Sequence, residues 1–501
     1  VPRPFYNWVS VAGAVLAIGS ATGAVFFQLL DLATGTSRAY PGVILVPFAL
    51  AGALGVLLVL VGLARERRRR ARGLGPSITP SISIDLARLT RRRPFFFLVT
   101  LTVAAALIIF GFGYASLEVV EFSESNTFCG EVCHSVMNPE YQAFHESPHS
   151  QLDCVECHVG AGAEGFLFAK LNGLSQLAAV ITGSYDRPIP TPVHEMRPAR
   201  ELCETCHTRE RMIGYESLRR TYFLGDEDNT PVDLHMLVNV GGEKRNGGGG
   251  GIHYHMLLGR KVEYLARDEQ RQQIGWVRVT RPDGSTAEYE NPYFPIEEEQ
   301  RASLPVRTMD CLDCHNRPAH QFRAPTDSVN AALAGGAISR DLPYIKREAV
   351  LALAGDYESA QEAMSGIEAH LTEFYEDEEP DVLEEQGKDL RTAIREIQAI
   401  YRDTIFPEMK VRWSTHPDNI GHRDFPGCFR CHNEDLVDED DEPLFDDCET
   451  CHLVLWQGED GHAGEVSFPE GQEWNHPEDG EPFEEFTDCT ECHNGGALLY
   501  E

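Results

Sequence analysis

The sequence is poor in positive charge. Its 501 residues carry 43 Lys and Arg against 78 Asp and Glu, a formal net charge of −35. Such a surface repels phosphate backbones, which argues against nucleic acid as a partner. It suits a solvated acidic exterior, a basic partner or life at high salt, and the solvated exterior is the simpler reading. The chain also lacks a spare cysteine. All 14 fall in seven pairs, so none is left for a structural disulfide, and cysteine usage says nothing about redox compartment. A single repeat length is missing too, because the pairs begin at 129, 154, 203, 311, 428, 448 and 489. Finally, long apolar runs are scarce beyond residue 117 and crowd into the stretch before it.

Every cysteine pair is followed at once by a histidine. Cys154, Cys157 and His158 make a C-x-x-C-H, as do Cys203, Cys206 and His207, and Cys311, Cys314 and His315. The pattern returns at Cys428, Cys431 and His432, at Cys448, Cys451 and His452, and at Cys489, Cys492 and His493. Cys129, Cys133 and His134 differ only by one extra residue between the cysteines. This pattern attaches c-type haem: two thiols add to the vinyl groups and the histidine binds iron. One copy alone would fit half a zinc site or an accident. Seven copies with no cysteine left over argue against both.

Three apolar runs, Trp8–Leu30, Val43–Leu63 and Phe95–Tyr114, are each long enough to cross a hydrocarbon core of about 30 Å. The first lacks a small-residue cleavage site and reads as an uncleaved anchor. Residues 64–93 hold ten arginines against Glu66 and Asp85. Such a loop stays cytoplasmic, which puts the N-terminus inside and everything after Tyr114 outside. Covalent haem attachment independently implies the outer face of an energy-transducing membrane.

Two inserts interrupt the motifs. From Arg219 to Glu290 the text alternates in short β-like pieces separated by Gly-rich and Asp-Gly turns, and predicts a small antiparallel β subdomain. From Pro343 to Phe406 it turns helical, with Leu390, Ile394, Ile397 and Tyr401 at helical spacing and Pro380 between two helices of a hairpin. The acidic run Asp438–Glu442 reads as an exposed loop.

Low-spin haem needs a second axial ligand, His or Met. Twelve histidines lie outside the motifs. Local text favours His149, His194, His320, His422 and His476. His253 and His255 are two apart in a β-like piece, so they share one strand face, with one a ligand and the other its neighbour. His145, His235, His370, His416 and His462 are weaker candidates, since most histidines are surface groups or satisfied hydrogen bonders. Met137, close behind His134, is either a ligand of the first haem or a methionine packed against it.

Apolar runs followed by the first motif, Met137, the Ser147–Pro148–His149 triplet and the second motif resemble the NapC/NirT family of membrane-anchored multihaem quinol dehydrogenases. The likeness is clearest from Phe128 to His207 and includes Lys170, where family members place a lysine near the quinol site. Typical members have one span and four haems, so the rest of this chain is an extension. Here the first motif has one more residue in each gap than the family's C-x-x-C-H-x-M, and Leu177 stands where an acidic residue often follows the lysine.

The expected fold is a membrane-anchored multihaem cytochrome c. It has a three-helix anchor at 1–117, a NapC/NirT-like three-haem region at 118–210 and a β-rich insert at 211–305. A fourth haem segment at 306–325, a helical hairpin insert at 326–410 and a C-terminal three-haem region at 411–501 complete it, with coil and short helix packed on porphyrin. The resemblance implies oxidation of membrane quinol or menaquinol and electron passage to periplasmic acceptors, cytochromes or a respiratory complex, from the inner membrane's outer face. Lys170 lies in an apolar helical segment, Gly160–Gly183, that suits the membrane interface. It either bonds a quinol oxygen or snorkels to headgroups as an anchor. The alternatives are a non-enzymatic relay subunit in a larger respiratory complex and a terminal reductase. The many spare histidines argue against the reductase, which would need an open iron.

Haem quantification per chain is expected to return seven, one for each complete motif. A value of six points to failure at the widened first motif, and zinc at these cysteines would overturn the haem reading.

Overall fold

The computed structural model describes residues 7–34, 41–74, 111, 114–115, 118–132, 134–159, 162–192, 198–243, 249–256, 260–444, 448–459, 471–476, 489–491, 493 and 495. The chain divides into two compact units. One holds Val1–Cys133 and Asp153–Thr182, the other His134–Leu152 and Gly183–Glu501. The boundary therefore falls inside the stretch expected as a single three-haem region, 118–210: the second motif groups with the anchor helices and the third does not.

In the first unit, α1 (Trp8–Thr34) and α2 (Pro41–Ala71) pack antiparallel. Trp8–Val25 and Phe48–Ala71 are long and apolar enough to cross a membrane. Small residues make their contact. A Cβ on Gly13 would stand 2.6 Å from Gly55 O, and one on Gly55 would stand 2.6 Å from Ala17 N. Such close approach is how helices associate where lipid removes the hydrophobic drive. Asn7 Nδ2 donates to Gly62 O at 3.1 Å and to Ser10 Oγ at 2.9 Å, so this buried amide is satisfied. The third apolar run lies outside the described residues except for Gly111 and Tyr114. Helix α3 (Gly162–Thr182) exposes Phe168, Leu171, Leu174, Leu177 and Ile181.

The second unit has its largest apolar core among α4 (Pro325–Ala334), α5 (Ile345–Ala354), α6 (Ala360–Asp377), α7 (Pro380–Glu385) and α8 (Gly387–Thr404). The helical stripe Leu390, Ile394, Ile397 and Tyr401 is buried on α8 and meets Ile367, Leu371 and Tyr375 of α6. A hairpin of two helices was the expectation at 326–410. The structure adds α4 and α5, whose Val329, Leu333, Ile345 and Val350 close an apolar face that two helices would leave wet. Pro380 opens α7 at a first-turn position, where its missing N–H costs nothing.

The β-like text forms two sheets, not one subdomain. In the first, β1 (Gly214–Phe223), β2 (Pro231–Glu243) and β3 (Gly249–Gly250) are joined by β8 (His452–Glu459), which pairs with β2 from the C-terminal region. In the second, the order is β6 (Thr286–Glu290), β5 (Ile274–Thr280), β4 (Lys261–Ala266) and β7 (Arg307–Thr308). Each sheet thus recruits a strand from beyond the insert expected at 211–305. β8 joins because Leu453, Val454 and Leu455 are buried by the pairing. The piece holding His253 and His255 is no strand. Gly251, at φ +86°, turns the chain into a 3₁₀ turn, Ile252–His255. At three residues per turn, positions two apart point about 120° away from one another, so the two histidines do not share a face.

Lys346 is 1% exposed; its Nζ donates to Thr326 O at 2.7 Å and Thr326 Oγ1 at 2.9 Å. Burial pulls its pKa down to about 7. The unfolded lysine titrates near 10.4, so between about pH 7 and about pH 10 the unfolded chain binds the extra proton and stability rises with pH. Urea unfolding followed by helical circular dichroism is expected to show that rise, at most ~1.4 kcal/mol per pH unit. Lys346→Met is expected to flatten it; an unchanged slope in the variant would assign the rise elsewhere.

Candidate haem sites

Four of the motifs show a tight turn among the described residues. His207 N donates to Cys203 O at 2.8 Å, His315 N to Cys311 O at 2.8 Å, His432 N to Cys428 O at 3.0 Å and His493 N to Cys489 O at 2.7 Å. This single i→i−4 bond puts the first cysteine and the histidine one above the other on one side of the turn. In the fourth motif Asp310 and Asp313 cap it reciprocally. The fifth is preceded by Gly421 (φ +83°) and Gly427 (φ +51°), which bring Cys428 N to 3.0 Å from Gly421 O.

The spare histidines stand opposite motif histidines. Ring centres are 6.1 Å apart for His149 and His207, 6.3 Å for His253 and His315, 6.2 Å for His422 and His452, and 6.2 Å for His476 and His493. A metal midway between two opposed imidazoles would give this number: two metal–nitrogen bonds of about 2.0 Å and two nitrogen-to-centre distances of about 1.1 Å sum to about 6.2 Å. His255 and His432 are closer, at 5.6 Å, with their Nε2 atoms 3.3 Å apart.

Second contacts aim several of these rings. His149 Nδ1 lies 3.0 Å from Pro318 O, His255 Nδ1 2.6 Å from Ile252 O and His320 Nδ1 3.0 Å from Glu140 O. A proton on Nδ1 satisfies each carbonyl and leaves the Nε2 lone pair for a metal. Burial holds His158, His253, His315, His422, His452 and His493 below the ordinary imidazole pKa. They are therefore neutral at pH 7, the form a metal requires.

Proximity along the chain identified the motif faced by His476, which precedes the seventh motif and stands opposite His493, but failed elsewhere. His149 precedes the second motif but faces the third; His422 precedes the fifth and faces the sixth. His253 and His255 face two different motifs, which corrects the reading of one ligand and one neighbour. Met137 is half-buried in the first turn of the helix His134–His145. His194, His462, Cys133, Cys492 and the side chain of His134 lie outside the described residues. Among the weaker candidates, His370 Nε2 sits 2.9 Å from Glu348 and His235 Nε2 2.9 Å from Ser217. His416 is 4% exposed, with Nδ1 3.1 Å from Thr191 Oγ1, and burial lowers its pKa to about 4.

Motifs also touch each other. The thiols of Cys129 and Cys154 lie together across the first two, and those of Cys311 and Cys203 across the third and fourth. In the first unit Asn126 Oδ1 accepts from Cys154 N at 2.8 Å. Lys170 Nζ donates to Ser123 O at 2.7 Å and stands 5.9 Å over the Phe128 ring, beside Cys129. The motif turns and the iron-spaced imidazoles fit haem c as the group these residues hold.

Motif turns, facing imidazoles and two apolar N-terminal helices together define a c-type cytochrome whose helices suggest a membrane anchor. Residues 91–216 match the N-terminal region of the NapC/NirT cytochrome c family. Over 497 residues the chain is 39% identical to the cytochrome c-type protein ImcH of Geobacter sulfurreducens, covering 98% of this chain and 96% of that protein. The chain belongs to the NapC/NirT cytochrome c family, with covalent haem as its cofactor and electron transport as its work. No solved structure matches it.

Proposed function

We propose that this protein is a seven-haem quinol dehydrogenase of the cytoplasmic membrane that sends electrons outward to periplasmic acceptors. The observation that carries the haem part is the iron spacing of the facing histidines. When bound, the haems supply one-electron redox chemistry. The cysteines of each motif would hold them and the motif histidines would bind iron. His149, His253, His255, His422 and His476 would supply a further imidazole to the third, fourth, fifth, sixth and seventh motifs, respectively. His320, whose Nδ1 lies against Glu140 O, together with His194 and Met137, remains a candidate for the first two motifs. The arginine-rich loop at 64–93 faces the cytoplasm, and the third span is the run Phe95–Tyr114.

The quinol part rests on α3. Its outward apolar face suits the membrane interface. Lys170 carries a cation to the first motif's side of that helix. Quinol loses two protons with its two electrons, and Lys170 stabilises the negative oxygen as a proton leaves. The hydrogen bond to Ser123 O favours a second reading, in which Lys170 merely ties α3 down and the chain relays electrons from another subunit.

Replacing Lys170 by Leu separates the two. Quinol-driven haem reduction by the purified protein is expected to slow at least ~10-fold, about 1.4 kcal/mol of transition-state stabilisation, with haem content unchanged. An unaltered rate would favour the relay.

Axial ligation has its own check. His253→Ala is expected to turn one low-spin haem high-spin in the optical and electron paramagnetic resonance (EPR) spectra without loss of haem. His370→Ala, at a histidine held by Glu348, is expected to leave the spectra alone. A low-spin spectrum unchanged in His253→Ala removes that ligand assignment.

A further inference from the structure

The residues between the cysteines of a haem motif take no part in attachment, so the ordinary expectation there is a solvated side chain. The fourth and fifth motifs depart from it. Asp313, between Cys311 and Cys314, is 2% exposed. Arg430, between Cys428 and Cys431, donates Nε to Gly427 O, Nη1 to Arg271 O and Nη2 to Asp313 O, each at 2.8 Å. The carbonyl of Asp313 belongs to the peptide that leads into Cys314. One motif's guanidinium thus grips the backbone of the other. Asn419 Nδ2 adds a second donor to the same carbonyl, at 3.0 Å.

The Asp313 carboxylate is anchored in turn. It accepts from Tyr264 OH at 2.6 Å, from the Asp310 N–H at 2.6 Å, from Arg271 Nη1 at 3.2 Å and from Arg307 Nε. Arg271 acts twice, with its side chain on Asp313 and its carbonyl on Arg430, and its φ of +60° is tolerated because both ends are held. A buried network whose members are all bonded is rigid. On the distal side, the 3₁₀ turn Ile252–His255 presents His253 to His315 and His255 to His432. The histidines facing the two motifs therefore come from one short element, and the motifs themselves are joined by the Arg430 contact.

We propose that Arg430 and Asp313 are positioning residues that lock the haems of the fourth and fifth motifs into one rigid, electronically coupled pair. The proposal rests on haem attachment at both motifs. Electron exchange falls steeply with separation, so a fixed short separation makes the pair act as one station for electrons. Supporting residues that hold a redox group to within a fraction of an ångström are what such a station needs.

The test uses the full-length, haem-loaded protein in detergent, as wild type, Arg430→Met, Arg430→Lys and Asn419→Ala. Haem per chain is quantified, and EPR spectra are taken on the fully oxidised forms. In the wild type, the pair's share of the low-spin ferric signal is expected to be broadened by mutual coupling. Arg430→Met is expected to release that share as isolated low-spin signal at unchanged haem content. Arg430→Lys, which keeps the charge and a single donor, should restore part of the coupling, and Asn419→Ala should release a smaller part. An Arg430→Met spectrum identical to wild type at full haem content overturns the clamp. A wild-type spectrum made up wholly of isolated haems overturns the coupling. If Arg430→Met loses haem, the Asn419→Ala spectrum decides in the same way. Absence of haem from either motif in the wild type is read from the haem count and would sink the underlying haem reading instead.

Discussion

Two imidazoles on opposite sides of one metal would have their ring centres about 6.2 Å apart, from two metal–nitrogen bonds of about 2.0 Å and the size of the rings, whereas a tetrahedral metal would bring them nearer. Much of the second unit is arranged around that separation. The donors come from different places in the chain: a loop before the second motif, a 3₁₀ turn between two sheets, the loop before the fifth motif, and a short stretch near Trp474. His149 is aimed by a carbonyl from another segment, that of Pro318, whereas His255 is aimed from within its own turn, by the carbonyl of Ile252.

Scaffold and motif share the work unequally. The helical core around Ile345, Ile367, Leu371, Tyr375 and Ile397 is apolar and closed by side chains. It reaches the motifs through polar contacts: Thr326 N to Gly495 O at 3.4 Å, and Asp327 to Arg423 at 2.6 Å, next to His422. Burial pulls the Arg423 pKa down, but the carboxylates of Asp327 and Asp424 outweigh it, raise the pKa overall and keep the guanidinium charged. The first sheet is tied in more directly, since β8 starts at His452, a motif residue.

The anchor follows other rules. Glycine-mediated contact of backbones and satisfied amides hold α1 to α2, as helices must be held where lipid replaces water, and Gly13, Gly55 and Asn7 supply them. Arg68, Arg69 and Arg70 close α2, where cations oppose the negative end of the helix dipole. α3 joins this unit with an apolar face turned outward, consistent in character with the spans and unlike the buried stripe of α8.

The seven motifs, the apolar runs, the helical stripe on α8 and the membership in a cytochrome family were all legible in the chain, because each depends on residues close in sequence. C-x-x-C-H needs only a local turn; a span needs only length and apolarity; a buried helix face needs only a period. Apart from His476 and His493, pairing of histidines was not legible. His422 lies six residues before Cys428 yet faces His452, and the doublet His253 and His255 divides between two motifs because Gly251 bends a β-like stretch into a 3₁₀ turn. The split of the strands into two sheets was hidden for the same reason, since β8 finds β2 across more than 200 residues. Asp313 and Arg430 were invisible as well: a variable position inside a motif carries no signal until the fold brings two motifs together. Sequence determined which residues are able to hold haem. Tertiary structure alone decided which donors meet, because an axial pair is a contact through space and leaves no mark on spacing along the chain.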